Sequence, residues 1–332
     1  MGSQRRFSLN GLVDVVVEGP QRYLSYFDNE YARISCGPAG DSRPVVTLRI
    51  VPSLRGGEVR SVHYKELFNF RYSIERLDTE SPILFFESHW LDRIYVTAVG
   101  AFIQGQLLEP IIYQKLLEHG FLFMHAAGVS KNGKAYVFPA EGGTGKTTLS
   151  LALMRQGYQL MGDDLLMVDA ASGTVFPYAR PLHLFTYNLR TLKVPVRIRT
   201  AIFLKDVIRS GIALVTGRTF LISTRAHVEE VVQTQRSGPA QLARAVFLRR
   251  EGISGSIDTS QAAGLTLAID EIIASADLNL SLEEHFGMSE AIRQAERSVI
   301  GRILQRLGRL DFVNARALQT DEDRAAFAVG YL

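Results

Sequence analysis

The chain has 332 residues, 46% of them apolar and 21% charged, which suits a folded protein with core enough for one large domain or two modest ones. Its net charge of +3 conceals an asymmetry: residues 180–250 carry eleven Arg and two Lys against Asp206, Glu229 and Glu230, a surplus of ten that leaves the remainder at −7. No run of eighteen apolar residues occurs, the first six residues lack an apolar stretch, and Cys36 is the sole cysteine; a membrane span, a secretory signal and an internal disulfide are not expected, and a cytoplasmic location is.

The first hundred residues read as β-rich. Leu12–Glu18 and Val45–Val51 are β-branched runs, the second alternating Val46, Leu48 and Ile50 against Thr47 and Arg49. Ile83–Phe86 and Ile94–Val99 are expected as two more strands. Pro110 opens a helix with Ile112 and Leu116 on its apolar side and Gly120 at its end. Phe121–Met124 is apolar and leads into His125-Ala126-Ala127-Gly128. The Lys131-Asn132-Gly133-Lys134 turn then returns the chain as Ala135–Phe138.

Ala140-Glu141-Gly142-Gly143-Thr144-Gly145-Lys146-Thr147-Thr148 follows, a phosphate-cradling pattern with Ala140 where the strict form has glycine. A strand before it and an expected helix behind it, Leu149–Arg155, give the context that lets backbone amides gather around an anion. Gly142, Gly143 and Gly145 permit the curled backbone, Lys146 reaches the terminal phosphates, and the Thr147 hydroxyl can ligate Mg²⁺.

Gly157 stops that helix, and Gln159–Gly162 runs into Asp163-Asp164 and apolar Leu165–Val168. The two aspartates stand seventeen and eighteen residues after Lys146, room for one helix and a return strand. Apolar neighbours on both sides make a cation-bound pair a better reading than a solvated turn. His125, fifteen residues before Ala140, can be brought back to the loop mouth by the hairpin. There it would touch phosphate or tune an aspartate. Beyond lie shorter strand-like segments, Leu182–Phe185, Thr200–Leu204, Thr219–Ser223 and Ala245–Leu248. Ser289 then caps an amphipathic helix carrying Ile292, Ala295, Val299, Ile300, Ile303 and Leu307, and Phe312–Leu318 reads as a closing strand.

The His125–Val129, Ala140–Thr147 and Gly157–Asp164 segments resemble the catalytic core of the HPr kinase/phosphorylase family, and more broadly proteins that share the phosphoenolpyruvate carboxykinase fold. The close match spans residues 121 to 170. The resemblance implies an α/β fold with a mixed sheet, a carboxykinase-like P-loop domain over 106–332, preceded by a β-rich region over 1–105. It implies ATP and Mg²⁺ as cofactors: Lys146 and the loop amides on the phosphates, Thr147 with Asp164 on the metal, Asp163 as the base for an acceptor hydroxyl, and His125 beside the transferred phosphate. The family's downstream Glu-x-Arg-Gly-x-Gly pattern is missing. Tyr178-Ala179-Arg180-Pro181 is its nearest counterpart, so Arg180 stands as a charge-neutralising residue, with Arg218 and Arg225 as lid residues.

The expected activity is transfer of the ATP γ-phosphate to a serine-type hydroxyl of a peptide or protein partner. A small hydroxyl compound as acceptor, a nucleotide-sensing protein without turnover, and a carboxykinase acting on oxaloacetate stand as alternatives. The basic segment 180–250 either attracts phosphates or an acidic substrate, or is a solvated face in which arginine replaces lysine. No nucleic-acid module accompanies the arginines, so nucleic acid and membrane are not expected partners; a homo-oligomer is left open.

Overall fold

The computed structural model describes residues 3–31, 33–34, 43–54, 58–64, 68–89, 95–184, 186, 189, 194–216, 224–232, 237–252, 254–287 and 289–332. Cys36, Arg218 and the Thr219–Ser223 segment lie outside them. The chain begins β1 (Ser3–Leu9), β2 (Val13–Gly19), α1 (Gln21–Tyr31), β3 (Val45–Val51), β4 (Arg60–Tyr64), β5 (Phe68–Glu75), β6 (Ile83–Glu87), α2 (Val96–Phe102), a π-helical segment (Ile103–Leu108) and α3 (Glu109–Glu118). It continues β7 (Phe121–Lys131), β8 (Lys134–Pro139), α4 (Lys146–Arg155), β9 (Gln159–Gly162), β10 (Leu165–Asp169), β11 (Thr174–Phe176) and β12 (Leu182–Leu184). The remainder is α5 (Val196–Thr216), β13 (Thr224–Ala226), α6 (Val228–Val231), β14 (Ala240–Arg249), β15 (Gly255–Asp258), α7 (Ala262–Ala274), α8 (Asp277–Phe286), α9 (Glu290–Leu307), β16 (Arg309–Asn314) and α10 (Asp321–Tyr331). The protein is therefore α/β with mixed sheets and a β-rich N-terminal region. No helix among the described residues is long and apolar enough to cross a membrane.

Two compact units emerge, one of Met1–Phe123, Val168–Ser172 and Ile269–Ile303, the other of Met124–Met167, Gly173–Ala268 and Leu304–Leu332. The first thus extends past the boundary expected after residue 105. The reason is covalent and local: α2, the π-segment and α3 run on without interruption from Val96 to Glu118, so a cut at 105 would fall inside one rod. Within this unit a six-stranded sheet has the order β1-β2-β3-β6-β5-β4, with β2, β3 and β6 parallel neighbours. β3 buries Val46, Leu48 and Ile50 while Thr47 and Arg49 are half-buried, as period-two alternation requires. α1 buries Tyr23, Leu24, Phe27 and Tyr31, a helical stripe that the sequence carried unread.

Two expected strands are helical. Ile94 lies outside the described residues, and Val96–Val99 belongs to α2, where Val99 and Phe102 are buried, as are Ile103 and Leu107 in the π-helical segment that continues it. Thr200–Leu204 lies within α5, which opens just after Pro195 and buries Ile198 and Ile202 four residues apart. In both, β-branched content suggested a strand, and packing of a 3.6-residue stripe overrode it. The closing segment is a strand only over β16 and turns into a 3₁₀ helix at Ala315–Leu318. The α9 cap is as expected, the Ile292 amide donating to the Ser289 hydroxyl at 3.3 Å.

The site rests on a second sheet of order β11-β10-β7-β8-β14-β16-β15, with β9 beside β7. Asn132 and Gly133, both at positive φ (53° and 73°), turn β7 back into β8, with Lys131 opposite Lys134. β14 runs parallel to β8 from Gln241↔Lys134 to Ala245↔Val137, and Leu248 bridges Ala140 at the loop entrance. Phe138, Ala140, Leu149, Leu153, Val246 and Leu248 pack together beneath that loop. That apolar packing anchors the loop's base, while its tip, Glu141 to Gly143, is exposed.

Candidate functional site

The loop between β8 and α4 has the backbone of an anion nest. Gly143 and Gly145 sit at φ 78° and 95°, conformations an L side chain adopts only with strain, and Gly145 immediately precedes α4. Glu141, Gly142, Gly143 and Gly145 are exposed, and no atom lies within 4 Å of where a Cβ would stand on Gly142 or Gly145. Thr144 is turned inward, its hydroxyl donating to the Glu141 carbonyl at 2.9 Å, which closes the loop on itself. Thr147 and Thr148 occupy the first turn of α4 and are partly buried. A helix N-terminus with open space above it favours an anion.

Lys146 is only 7% exposed; it donates to the Ala140 carbonyl at 2.7 Å, and its Nζ lies 2.9 Å from His125 Nε2. His125 lies in β7, also 7% exposed. β7 is a single strand of eleven residues, and the apolar run at Phe121–Met124 is its first part. It is the antiparallel neighbour of β8, which carries His125 to the loop mouth.

Asp163 and Asp164 form the corner between β9 and β10. Only glycine fits at Gly162, because a Cβ there would come within 2.5 Å of the Leu165 carbonyl oxygen. The corner is pinned to β7, the Ala126 amide donating to the Asp164 carbonyl at 3.0 Å. The carboxylates then diverge. Asp163 Oδ2 accepts from the Thr147 hydroxyl at 2.8 Å, while its Oδ1 is buried with no hydrogen-bond partner. Asp164 Oδ1 lies 3.2 Å from His125 Nε2, and its Oδ2 accepts from Arg180 at 2.6 Å.

The electrostatics follow from these partners. Burial raises the Asp163 pKa to about 6, helped by the adjacent Asp164 charge and opposed by the Thr147 hydrogen bond, Lys146 and Arg180. Burial also pushes Asp164 upward, but the hydrogen bond from His125 and the charges of Arg180, His125 and Lys146 outweigh it and hold this carboxyl well below its usual range. Its side chain is nevertheless 57% exposed and so reachable from solvent. His125 Nε2 meets two demands that one nitrogen cannot satisfy at once. It must offer a lone pair to Lys146 or a proton to Asp164.

His125, Lys146, Thr147, Asp163, Asp164 and Arg180, drawn from four separate stretches of sequence, are thus neighbours, with Gly142, Gly143, Thr144 and Gly145 curled beside them. The hydrogen bond pairs Thr147 with Asp163, whereas the expected metal partner was Asp164. Arg225 lies in β13; burial and, after it, the Arg225 charge lower the Lys205 pKa, so its charge acts on α5. One further residue was missed by sequence reasoning. Arg250, just past β14, donates to the Gly142 carbonyl. It was one of eleven undifferentiated arginines in a basic segment, and the only signal available was its place at the end of an apolar strand.

No described group of three or more His, Cys, Asp or Glu side chains could hold a metal unaided. Thr147 and the orphaned Asp163 Oδ1 instead fit a hard cation whose coordination is completed by phosphate oxygens and water. No family model matches the chain, and no curated protein matches it in sequence.

Proposed function

We propose that the protein is an ATP- and Mg²⁺-dependent kinase of the HPr kinase and phosphoenolpyruvate carboxykinase type, transferring the γ-phosphate to a serine-type hydroxyl of a peptide or protein. The observation that carries this reading is the 2.8 Å bond from Thr147 to a half-buried aspartate whose buried Oδ1 has no hydrogen-bond partner, beside a glycine nest. A helix-first threonine and a strand-end carboxylate that meet are what a phosphate-bridging Mg²⁺ requires. Such a cation supplies neutralisation of charge on the transferred phosphoryl group.

The geometry supports an exchange of the two aspartate roles. Thr147 and Asp163 would hold the cation. Asp164 is the more exposed carboxylate and the one beside His125, which suits it to meet an incoming acceptor. Its low pKa reflects Arg180, His125 and Lys146; bound phosphates would draw on the same cations and return basicity to the carboxylate. Arg180 and Lys146 remain as charge-neutralising residues.

The test is incubation of the purified chain with γ-labelled ATP, Mg²⁺ and a serine-containing peptide pool, with a hydroxyl-compound pool in parallel. Label in the peptides that is lost in Asp164→Asn supports the reading. Label confined to the small compounds moves the acceptor class, and tight ATP binding with no labelled acceptor sinks the kinase in favour of a nucleotide sensor.

A further inference from the structure

We infer that Arg250 is a phosphate-binding residue, a guanidinium held over the tip of the glycine loop so that it closes on the phosphate chain of a bound nucleoside triphosphate. The inference rests on the nucleotide-binding reading above and adds to it a cation that none of the local sequence signals contains.

Its place is fixed by topology. β14 lies parallel to β8, and the Leu248–Ala140 bridge sets the two strand ends side by side. The chain leaving β14 therefore emerges at the edge from which the loop departs. Arg250 Nη2 donates to the Gly142 carbonyl and lies 3.0 Å from where a Cβ on Gly143 would stand. The backbone beyond is anchored. Glu251 pairs with Arg316 at 2.8 Å, the Gly252 carbonyl accepts from Asn314 at 2.8 Å, and Ser254 accepts from the Asn314 amide at 3.1 Å. The nearest acidic neighbour in sequence is thus engaged elsewhere, and no ion pair holds Arg250 among the described residues.

The chemistry asks for such a group. A triphosphate brings several negative charges to a loop whose one lysine is already bonded to Ala140 and His125. Arg250 is permanently charged, and its planar fork offers five donors, of which the Gly142 carbonyl occupies one. The remaining donors match two phosphate oxygens at once. Lysine could supply the charge without the fork.

The experiment is calorimetric titration of wild type, Arg250→Gln and Arg250→Lys with ATP, ADP and adenosine in Mg²⁺, together with thermal melts. Arg250→Gln is expected to weaken ATP about tenfold or more, ADP less, and adenosine not at all, with an unchanged melting midpoint and partial recovery in Arg250→Lys. Equal ATP affinity in wild type and Arg250→Gln overturns the inference. So does an equal loss for all three ligands with a lowered midpoint, which would make Arg250 a strut for the loop. Wild type that binds none of the three fails differently: it removes the nucleotide-binding reading itself.

Discussion

Glu87 is a buried carboxylate and Asp163 a half-buried one with one oxygen out of water, and they are held in opposite ways. Glu87, at the end of β6, is 4% exposed and fully engaged: Arg71 reaches both oxygens at 3.0 Å and the Leu54 amide donates at 3.0 Å. Asp163 has one hydroxyl donor and one oxygen with nothing. The first arrangement is finished and can only hold the chain together. The second is unfinished, which is costly in the free protein and useful only if a further group arrives.

The sharpest way to break this contrast is through catalysis. Lys146→Ala should lower phosphoryl transfer by about a thousandfold or more, because positioning and neutralisation carry nearly all of such a reaction, while the circular dichroism stays that of wild type. Glu87→Ala should do the reverse. It strands the Leu54 amide and Arg71, costing about 2–3 kcal/mol in urea melts, and should leave transfer kinetics alone. If Glu87→Ala spared stability, the finished and unfinished carboxylates would not differ as described.

A smaller effect sharpens the same point. Asp163→Asn should abolish activity yet stabilise the ligand-free protein at neutral pH by about 1–2 kcal/mol, since it removes a charge the fold holds at a cost. The pH dependence has a definite sign. The folded pKa, raised from 3.8 to about 6, makes the native state bind a proton more tightly than the unfolded one. The penalty is complete above pH 6 and fades as pH falls toward 4. Asp164, lowered instead, contributes stability that is present above its ordinary value and lost only below it. The windows do not overlap, so comparing melts of wild type and Asp163→Asn between pH 4 and 7 isolates one group. A slope that survives in the Asn variant would assign it elsewhere. Least of all should be felt at Arg5→Ala, whose exposed pairing with Asp28 at 3.4 Å is worth less than about 0.5 kcal/mol.

What could be read from the chain alone was what is written locally. The glycine loop, the Asn132-Gly133 turn, the Ser289 cap and the aspartate doublet each carry their physics in a few adjacent residues. The strands misread at Val96–Val99 and Thr200–Leu204 show the limit of that method: β-branched side chains state a preference, and the apolar stripe that decides extends well beyond the run itself. Arg250 shows a harder limit. Nothing within ten residues of it separates it from the other arginines, because its neighbour across the sheet lies more than a hundred positions earlier. The pairing of Thr147 with Asp163 rather than Asp164 was likewise invisible, since it depends on which way a two-residue corner turns.

The parallel pairing of β8 with β14 has a consequence for how the molecule is made. Lys134 must wait for Gln241 before its ladder closes, so a ribosome delivers the glycine loop well before the strand that flanks it. Until then β8 presents a bare edge able to pair with any other extended segment. Nascent chains halted before residue 240 should therefore aggregate or recruit chaperones, and acquire ATP affinity only once β14 has cleared the exit tunnel.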